Sequence, residues 1–361
     1  MKSLAISLLA VSICFNSLSV HAQEETQEIV VSANRVAQPE NIVMAATTII
    51  DREAIRVSQA QSLIELLSGQ PGMHLAQSGG LGAQTSLFMR GTESDHTLIL
   101  IDGAQITTGT GASGRIEVIP LDQIERIEIV RGPRSSVYGS EAIGGVLNII
   151  TSSVVDPGLS GNLSVTVGSQ DSNNTNLGLQ GGNESTTLTL NLSHRQTDGV
   201  NSRESGSADD DGFENDTLAL SLNHQFNNRI SFATNYSRFD SSSDYDDGKV
   251  DIESQQFSAG FSVALTNAWN SSIRIERFKE ENEDMSAFGI TQSESENNKI
   301  NWHNTLVLNS ANQFSFGLDH LEQELEYASF GAVQSDTSRD NDGAYGIYLL
   351  DSALADLTLS L

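Results

Sequence analysis

From Gly161 to the last residue, apolar and polar positions alternate with a period of two. Leu163, Val165 and Val167 are spaced this way, as are Leu188, Leu190 and Leu192, and Leu218, Leu220 and Leu222. Ile230 and Phe232 continue the pattern. Phe257, Ala259, Phe261, Val263 and Leu265 follow, then Leu306 and Leu308, then Phe314, Phe316 and Leu318, then Leu357 and Leu359. A period of two is the mark of strands with one apolar and one polar face. A soluble β-sandwich alternates in the same way. The connections favour a different architecture. Short polar stretches at 182–185, 227–228 and 310–312 are interleaved with long polar segments near 198–214, 240–251, 280–294 and 328–340. Short turns at one end and long loops at the other predict an antiparallel transmembrane β-barrel, apolar outside and polar within. About ten or eleven strands are expected. Trp269 and Trp302, read as lying near strand ends, suit an aromatic girdle.

Residues 27–152 have a different grain. The run 47–50 reads as a strand, and 60–67 as a short helix with Leu63, Ile64, Leu66 and Leu67 on one face, stopped by Gly69 and Pro71. Segments 86–90 and 97–101 read as strands, the second turning at Asp102-Gly103. The stretch 124–151, IERIEIVRGPRSSVYGSEAIGGVLNIIT, sets two apolar strands around closely spaced glycines, which mark tight turns and close backbone approach. These elements predict one small α/β domain ahead of the barrel.

The amino terminus reads as a secretion signal over 1–22: Lys2, an apolar stretch over 4–15, and a small-residue cleavage site at Val20-His21-Ala22. The one cysteine, Cys14, lies inside it, so no disulfide is expected in the mature chain. No later segment reaches the roughly 18 continuous apolar residues of a membrane helix. A membrane protein without such a helix must close a barrel. The net charge of −28 excludes nucleic acid as a partner. No nucleophile–base arrangement is visible, and the seven histidines show no metal-ligand spacing, so an enzyme is not expected. Gly109, Gly111 and Gly114 match G-x-G-x-x-G, but 115–119 reads as extended rather than helical, so a dinucleotide site is not supported. Acidic residues gather at Asp198 and Asp209-Asp210-Asp211, and again at Asp240, Asp244, Asp246, Asp247 and Asp251. Such clusters either stay solvated and mobile or hold a cation such as calcium between them. Asp340-Asn341-Asp342-Gly343 has the same local form.

The stretch 124–151 resembles the end of the plug domain of TonB-dependent outer-membrane receptors, and among these it is most similar to the cobalamin (corrinoid) transporters. Further signatures are Arg90-Gly91 after Ser86-Leu87-Phe88-Met89, then Leu100-Ile101-Asp102-Gly103, and Ile129-Val130-Arg131-Gly132-Pro133. The arginines are expected to sit buried in a polar interior, with Glu125 and Glu128 as candidate partners. The segment 27–34, QEIVVSAN from Gln27 to Asn34, resembles the TonB box, which pairs by strand addition with the periplasmic energy-coupling protein.

The resemblance implies an α/β plug (35–152) inside an antiparallel barrel (155–361), in a monomer embedded in the outer-membrane lipid of a Gram-negative cell. Its family closes barrels with twenty-two strands, so the sequence in hand is expected to be a truncated form, cut in mid-hairpin near Asp356. The implied activity is energised uptake of a corrinoid such as cobalamin. The alternatives are a siderophore, haem or other metal chelate as ligand, a surface receptor that transports nothing, or a decayed gene product. By the resemblance, calcium ligands fall on Asp198, Ser207, Asp209, Asp211, Tyr245 (by its carbonyl), Asp246 and Asp251, with Ser207 replacing the family's glutamine. Corrinoid contacts fall on Gln84, Ser86, Glu93, Gly111, Ala112 and Asp247. Here Gln84 replaces a leucine, Glu93 an asparagine and Asp247 an alanine, and a carboxylate cannot donate a hydrogen bond at neutral pH.

Overall fold

The computed structural model describes residues 30–31, 38–39, 45–108, 114–151, 157–201, 210–246, 248–309, 311–350 and 357–360. The expected signal peptide and most of 27–34 lie outside these, as do Gly111, Ala112, Ser207, Asp209 and Asp247. Two short strands, β1 (Val30–Val31) and β2 (Gln38–Pro39), pair antiparallel with Val31 opposite Gln38.

The plug follows as β3 (Ala46–Asp51), α1 (Arg52–Ser58), α2 (Leu63–Ser68), β4 (Met73–Gln77), β5 (Thr85–Met89), β6 (Thr97–Ile101), β7 (Ala104–Gln105), β8 (Arg126–Arg131), α3 (Ser135–Tyr138) and β9 (Gly145–Ile150). Its main sheet runs β3-β8-β9-β6-β7, with only β6 and β9 parallel, and β4-β5 forms a separate hairpin. Helix α2 is capped reciprocally: Ser62 Oγ accepts from the Glu65 N–H at 3.1 Å, and Glu65 Oε2 accepts from the Gln61 N–H at 2.8 Å. Helix α1 was not anticipated from the sequence; Asp51 caps it, accepting from the Ala54 N–H at 2.7 Å. The α2 face Leu63, Ile64, Leu66 and Leu67 is buried with Ile127, Ile129, Leu147 and Ile149 of the sheet, and this core takes in Phe239 and Phe278 from the barrel strands. The segment expected to be extended at 115–119 makes a 3-10 turn over Ile116–Val118 instead, which buries Ile116 and Val118.

Eleven antiparallel strands follow in strict sequence order: β10 (Gly158–Val167), β11 (Asn173–Gly182), β12 (Thr186–Val200), β13 (Asp211–Asn227), β14 (Ile230–Tyr245), β15 (Gly248–Ala264), β16 (Trp269–Ser286), β17 (Gly289–Asn309), β18 (Asn312–Ser329), β19 (Ala332–Leu350) and β20 (Leu357–Ser360). The predicted alternation is realised. In β13 the odd positions from Asp211 to Ser221 are buried, and Glu214, Asp216 and Leu220 are exposed. Apolar residues line up across the outer face: Phe261 pairs with Ile273, Ile273 with Trp302, and Trp302 with Leu318. An outward apolar row is what a strand facing lipid requires. Trp269 opens β16 as expected, but Trp302 lies within β17, with its indole N–H donating to Ser271 Oγ at 3.0 Å.

The expected long loops are for the most part not loops. Strands β14 to β19 run on past the apolar row and are joined by two-residue connections at 246–247, 287–288 and 330–331. Asp240 and Asp251 are therefore strand residues, as is the Asp340–Gly343 sequence in β19. Polarity alone does not end a strand, because a ladder whose side chains both face water loses nothing by continuing.

The seam between plug and sheet is polar. Asn215 donates to the Val118 carbonyl at 3.0 Å, Gln256 to that of Ile101 at 3.0 Å, Asn297 to that of Thr107 at 2.6 Å, and Arg274 to that of Asp102 at 2.6 Å. Barrel side chains thus satisfy plug carbonyls that would otherwise be buried without partners.

Candidate functional site

The β4-β5 hairpin brings the plug against the outward-reaching ends of β13 and β14. Its tip is held by the Ser78 N–H donating to the Gln84 carbonyl at 3.1 Å. Gly82, at φ +79°, lies beneath Phe213, and Ser243 Oγ donates to the Gly82 carbonyl at 3.2 Å. A Cβ at Gly82 would fall 2.0 Å from the Phe213 ring. Gly82→Ala should therefore cost about 1–3 kcal/mol of overpacking, with the positive φ adding to it. The expected result is a lower unfolding midpoint in detergent and faster proteolysis of residues 78–84.

On this hairpin Gln84 is exposed and Ser86 half-buried, paired with Ala76; Glu93 is exposed at the following turn. Three of the six expected corrinoid contacts are thus placed on the plug, and Gly111, Ala112 and Asp247 lie outside the described residues.

The expected calcium ligands divide. Asp211 is buried on the plug side, in phase with Phe213 and Asn215. It pairs with Val200 across a bulge that contains Asp198, whose N–H donates to the Gln170 carbonyl at 2.8 Å. Phe213 and Ser243 are the terminal pair of the β13-β14 ladder, and Tyr245 and Asp246 follow beyond it, at the same end as Asp211. The position a Cβ would take on Gly212 lies 3.1 Å from Asp244 Oδ2, which shows how closely the two strand ends approach. Tyr245 directs its hydroxyl to Asp284. Asp251 stands apart. Alternation places it on the outer face with Asp240 and Glu253, and Lys249 Nζ is 3.0 Å from its carboxylate. The structure brings Asp198, Asp211, Tyr245 and Asp246 to one end of the β12–β14 sheet and turns Asp251 away.

Among the described residues, two trios bring potential ligand atoms within 4.8 Å of one another: Glu93, Asp95 and His96 in the plug, and His194, Glu214 and Asp216 on the outer face. Neither was legible as a spacing. His194 meets Asp216 only through the β12-β13 register, at 2.8 Å.

Of the signature arginines, Arg131 is buried as expected and Arg90 is exposed, and the partners differ from those expected. Arg131 donates from Nε to the Pro71 carbonyl and from Nη1 to Thr48 Oγ1, each at 2.7 Å. Burial lowers its pKa, and Arg90 beside it adds to the effect. Glu128 instead meets Arg126 at 3.0 Å, because a residue two along on the same strand shares its face.

Comparison with known proteins agrees with this geometry. The TonB-dependent receptor plug domain family matches residues 40–146. The vitamin B12 transporter BtuB of Vibrio vulnificus is 30% identical over 341 residues, covering 90% of this chain and 55% of that protein. BtuB of Photobacterium profundum is 32% identical over 356 residues, covering 96% of this chain and 58% of that protein. The chain therefore spans little more than half the length of these relatives. Among solved structures, the siderophore receptor PirA of Acinetobacter baumannii superposes with a TM-score of 0.73 at 17% identity, over 92% of this chain and 57% of that one. The ferric enterobactin receptor PfeA of Pseudomonas aeruginosa gives 0.72 at 18% identity, over 87% and 57%. These relatives are transporters and receptors, not enzymes. Residues 40–146 are thus a plug domain of the TonB-dependent receptor family, joined by a polar seam to a sheet whose outer face carries an apolar row.

Proposed function

We propose that this chain belongs to an energised importer of a corrinoid such as cobalamin. The observation that carries the reading is identity of 30–32% to two vitamin B12 transporters across 90–96% of the chain. The plug hairpin supports it, because Gln84 and Ser86 are presented beside the acidic strand ends, with Glu93 exposed at the turn that follows. Gly111, Ala112 and Asp247 are proposed to complete the ligand contacts. Energy reaches the plug through strand addition of the periplasmic TonB protein to the segment 27–34.

We also propose that calcium binds at the acidic strand ends, held by Asp198, Asp211, Asp246 and the Tyr245 carbonyl, with Ser207 and Asp209 contributing. The donor set fits: hard oxygen ligands from two neighbouring hairpins suit calcium's six to eight oxygens. Asp251, ion-paired to Lys249 on the outer face, is left out of this set.

The test is equilibrium binding of cobalamin to the purified receptor, with ferric siderophore and haem as parallel arms. Saturable cobalamin binding with uptake in cells lacking their own transporter is the expected result. Binding of a siderophore or haem in place of cobalamin would keep the importer and reassign its ligand. Binding without uptake would favour a surface receptor that transports nothing.

A further inference from the structure

One buried cluster of charge crosses the seam between plug and barrel. Arg115, on the plug, places Nη1 3.4 Å from Glu117 Oε1 and Nε 3.6 Å from Oε1 of Glu280 on β16. The Glu117 and Glu280 side chains are 1% and 6% exposed, and that of Arg115 is 14% exposed. Ser254 Oγ donates to Glu280 Oε2 at 3.1 Å. The second oxygen of Glu117, Oε2, is buried without a hydrogen-bond partner among the described residues.

Two carboxyl groups thus share one guanidinium away from water. If both were ionised, the cluster would carry a net negative charge in a medium where an uncompensated charge costs several kcal/mol. One proton removes that cost. Glu117 is the group placed to take it, since Glu280 has both Arg115 and the Ser254 hydroxyl. Among the described residues, the surrounding elements supply no second cation. Asn215 comes from β13, Phe239 from β14, Ser254 and Gln256 from β15, and Phe278 from β16. On α2, which packs against the turn at Ile116–Val118, the one charged group is Glu65, which is exposed and turned back to the Gln61 N–H.

We propose that Glu117 holds a proton while the plug is seated against β16, and gives it up to water when the 114–118 segment separates from that strand. Arg115 and Glu280 then also part into solvent, so the seam is a proton-linked latch. Burial, opposed by Arg115, pushes the Glu117 carboxyl up to about 7. The sign follows directly. The seated state binds the proton more tightly than the separated state, so the favourable contribution is full below the ordinary carboxyl pKa of about 4.3. It is lost progressively as pH rises through about 7. Seating is therefore tightest in mild acid and loosens in mild alkali.

The experiment is amide hydrogen exchange over residues 114–119 in the purified receptor at pH 5.5, 7.0 and 8.5, corrected for intrinsic exchange. Native receptor should lose protection several-fold from pH 5.5 to 8.5. Glu117→Gln, neutral at every pH, should keep the acid-side protection throughout. Glu280→Gln, which leaves Arg115 to Glu117 alone, should lower the pH at which protection falls. Native protection that does not change with pH, or that rises with it, would overturn the latch. So would a Glu117→Gln receptor that keeps the native pH dependence. None of these readings requires a ligand, so the latch and the corrinoid assignment stand or fall separately.

Discussion

Replacing Val31 with proline is expected to cut energised uptake more than about tenfold while leaving ligand binding at the native level. Val30 and Val31 are extended and pair with β2, Val31 opposite Gln38. An extended β-branched pair of this kind is what strand addition uses, because backbone N–H and C=O groups supply the affinity. Proline removes one N–H and fixes φ near −65°, outside the usual strand range. Loss of one or two backbone hydrogen bonds at about 1 kcal/mol each, with the added steric conflict, exceeds the 1.4 kcal/mol that corresponds to tenfold in affinity. Uptake should therefore fall more than about tenfold. Val30→Pro should do the same if the partner adds along the whole segment. The measurement pairs labelled-ligand binding to outer membranes with accumulation in energised cells. Normal accumulation in both variants would remove the coupling role from this segment.

The barrel strands were the most legible part of the sequence, because lipid on one side and water on the other impose a period of two along every strand. Leu218, Leu220 and Leu222 needed only counting to be placed on one face. The hairpin extensions were not legible. Asp240 and Asp251 look like loop residues because loops are usually polar, yet a ladder with water on both faces accepts the same residues. Helix α1 was missed for a related reason. Arg52–Ser58 buries only Ile55, so its apolar stripe is too thin to count, and the Asp51 cap carries the signal instead. The plug core was readable from Leu63 to Leu67 and from Ile127 to Ile149. Its extension to Phe239 and Phe278 was not, since contacts across more than a hundred residues leave no local pattern. The Arg115–Glu117–Glu280 cluster was hidden for the same reason.

Calcium is expected to tighten ligand binding several-fold, and a pair of substitutions should separate the residues that hold it from one that does not. Asp211 on β13 and Asp246 after β14 lie at neighbouring strand ends. Without a cation these carboxylates repel, and the strand ends above Gly82 and Phe213 lose conformational entropy when ligand arrives. A bound cation would offset the repulsion first, so calcium and ligand would favour each other with a coupling of about 1–3 kcal/mol. Asp211→Asn combined with Asp246→Asn keeps side-chain volume, removes two charges and should abolish the calcium dependence. Asp251→Asn is the informative contrast. Asp251 is ion-paired to Lys249 at 3.0 Å on the outer face, so its loss should leave the calcium effect largely intact. Titration of cobalamin affinity at several calcium levels, against a chelator, distinguishes the cases. High affinity indifferent to calcium in the native receptor would reject the coupling. Loss of the calcium effect in Asp251→Asn would show that Asp251 turns inward on binding, as the family resemblance implies and the alternation along β15 does not.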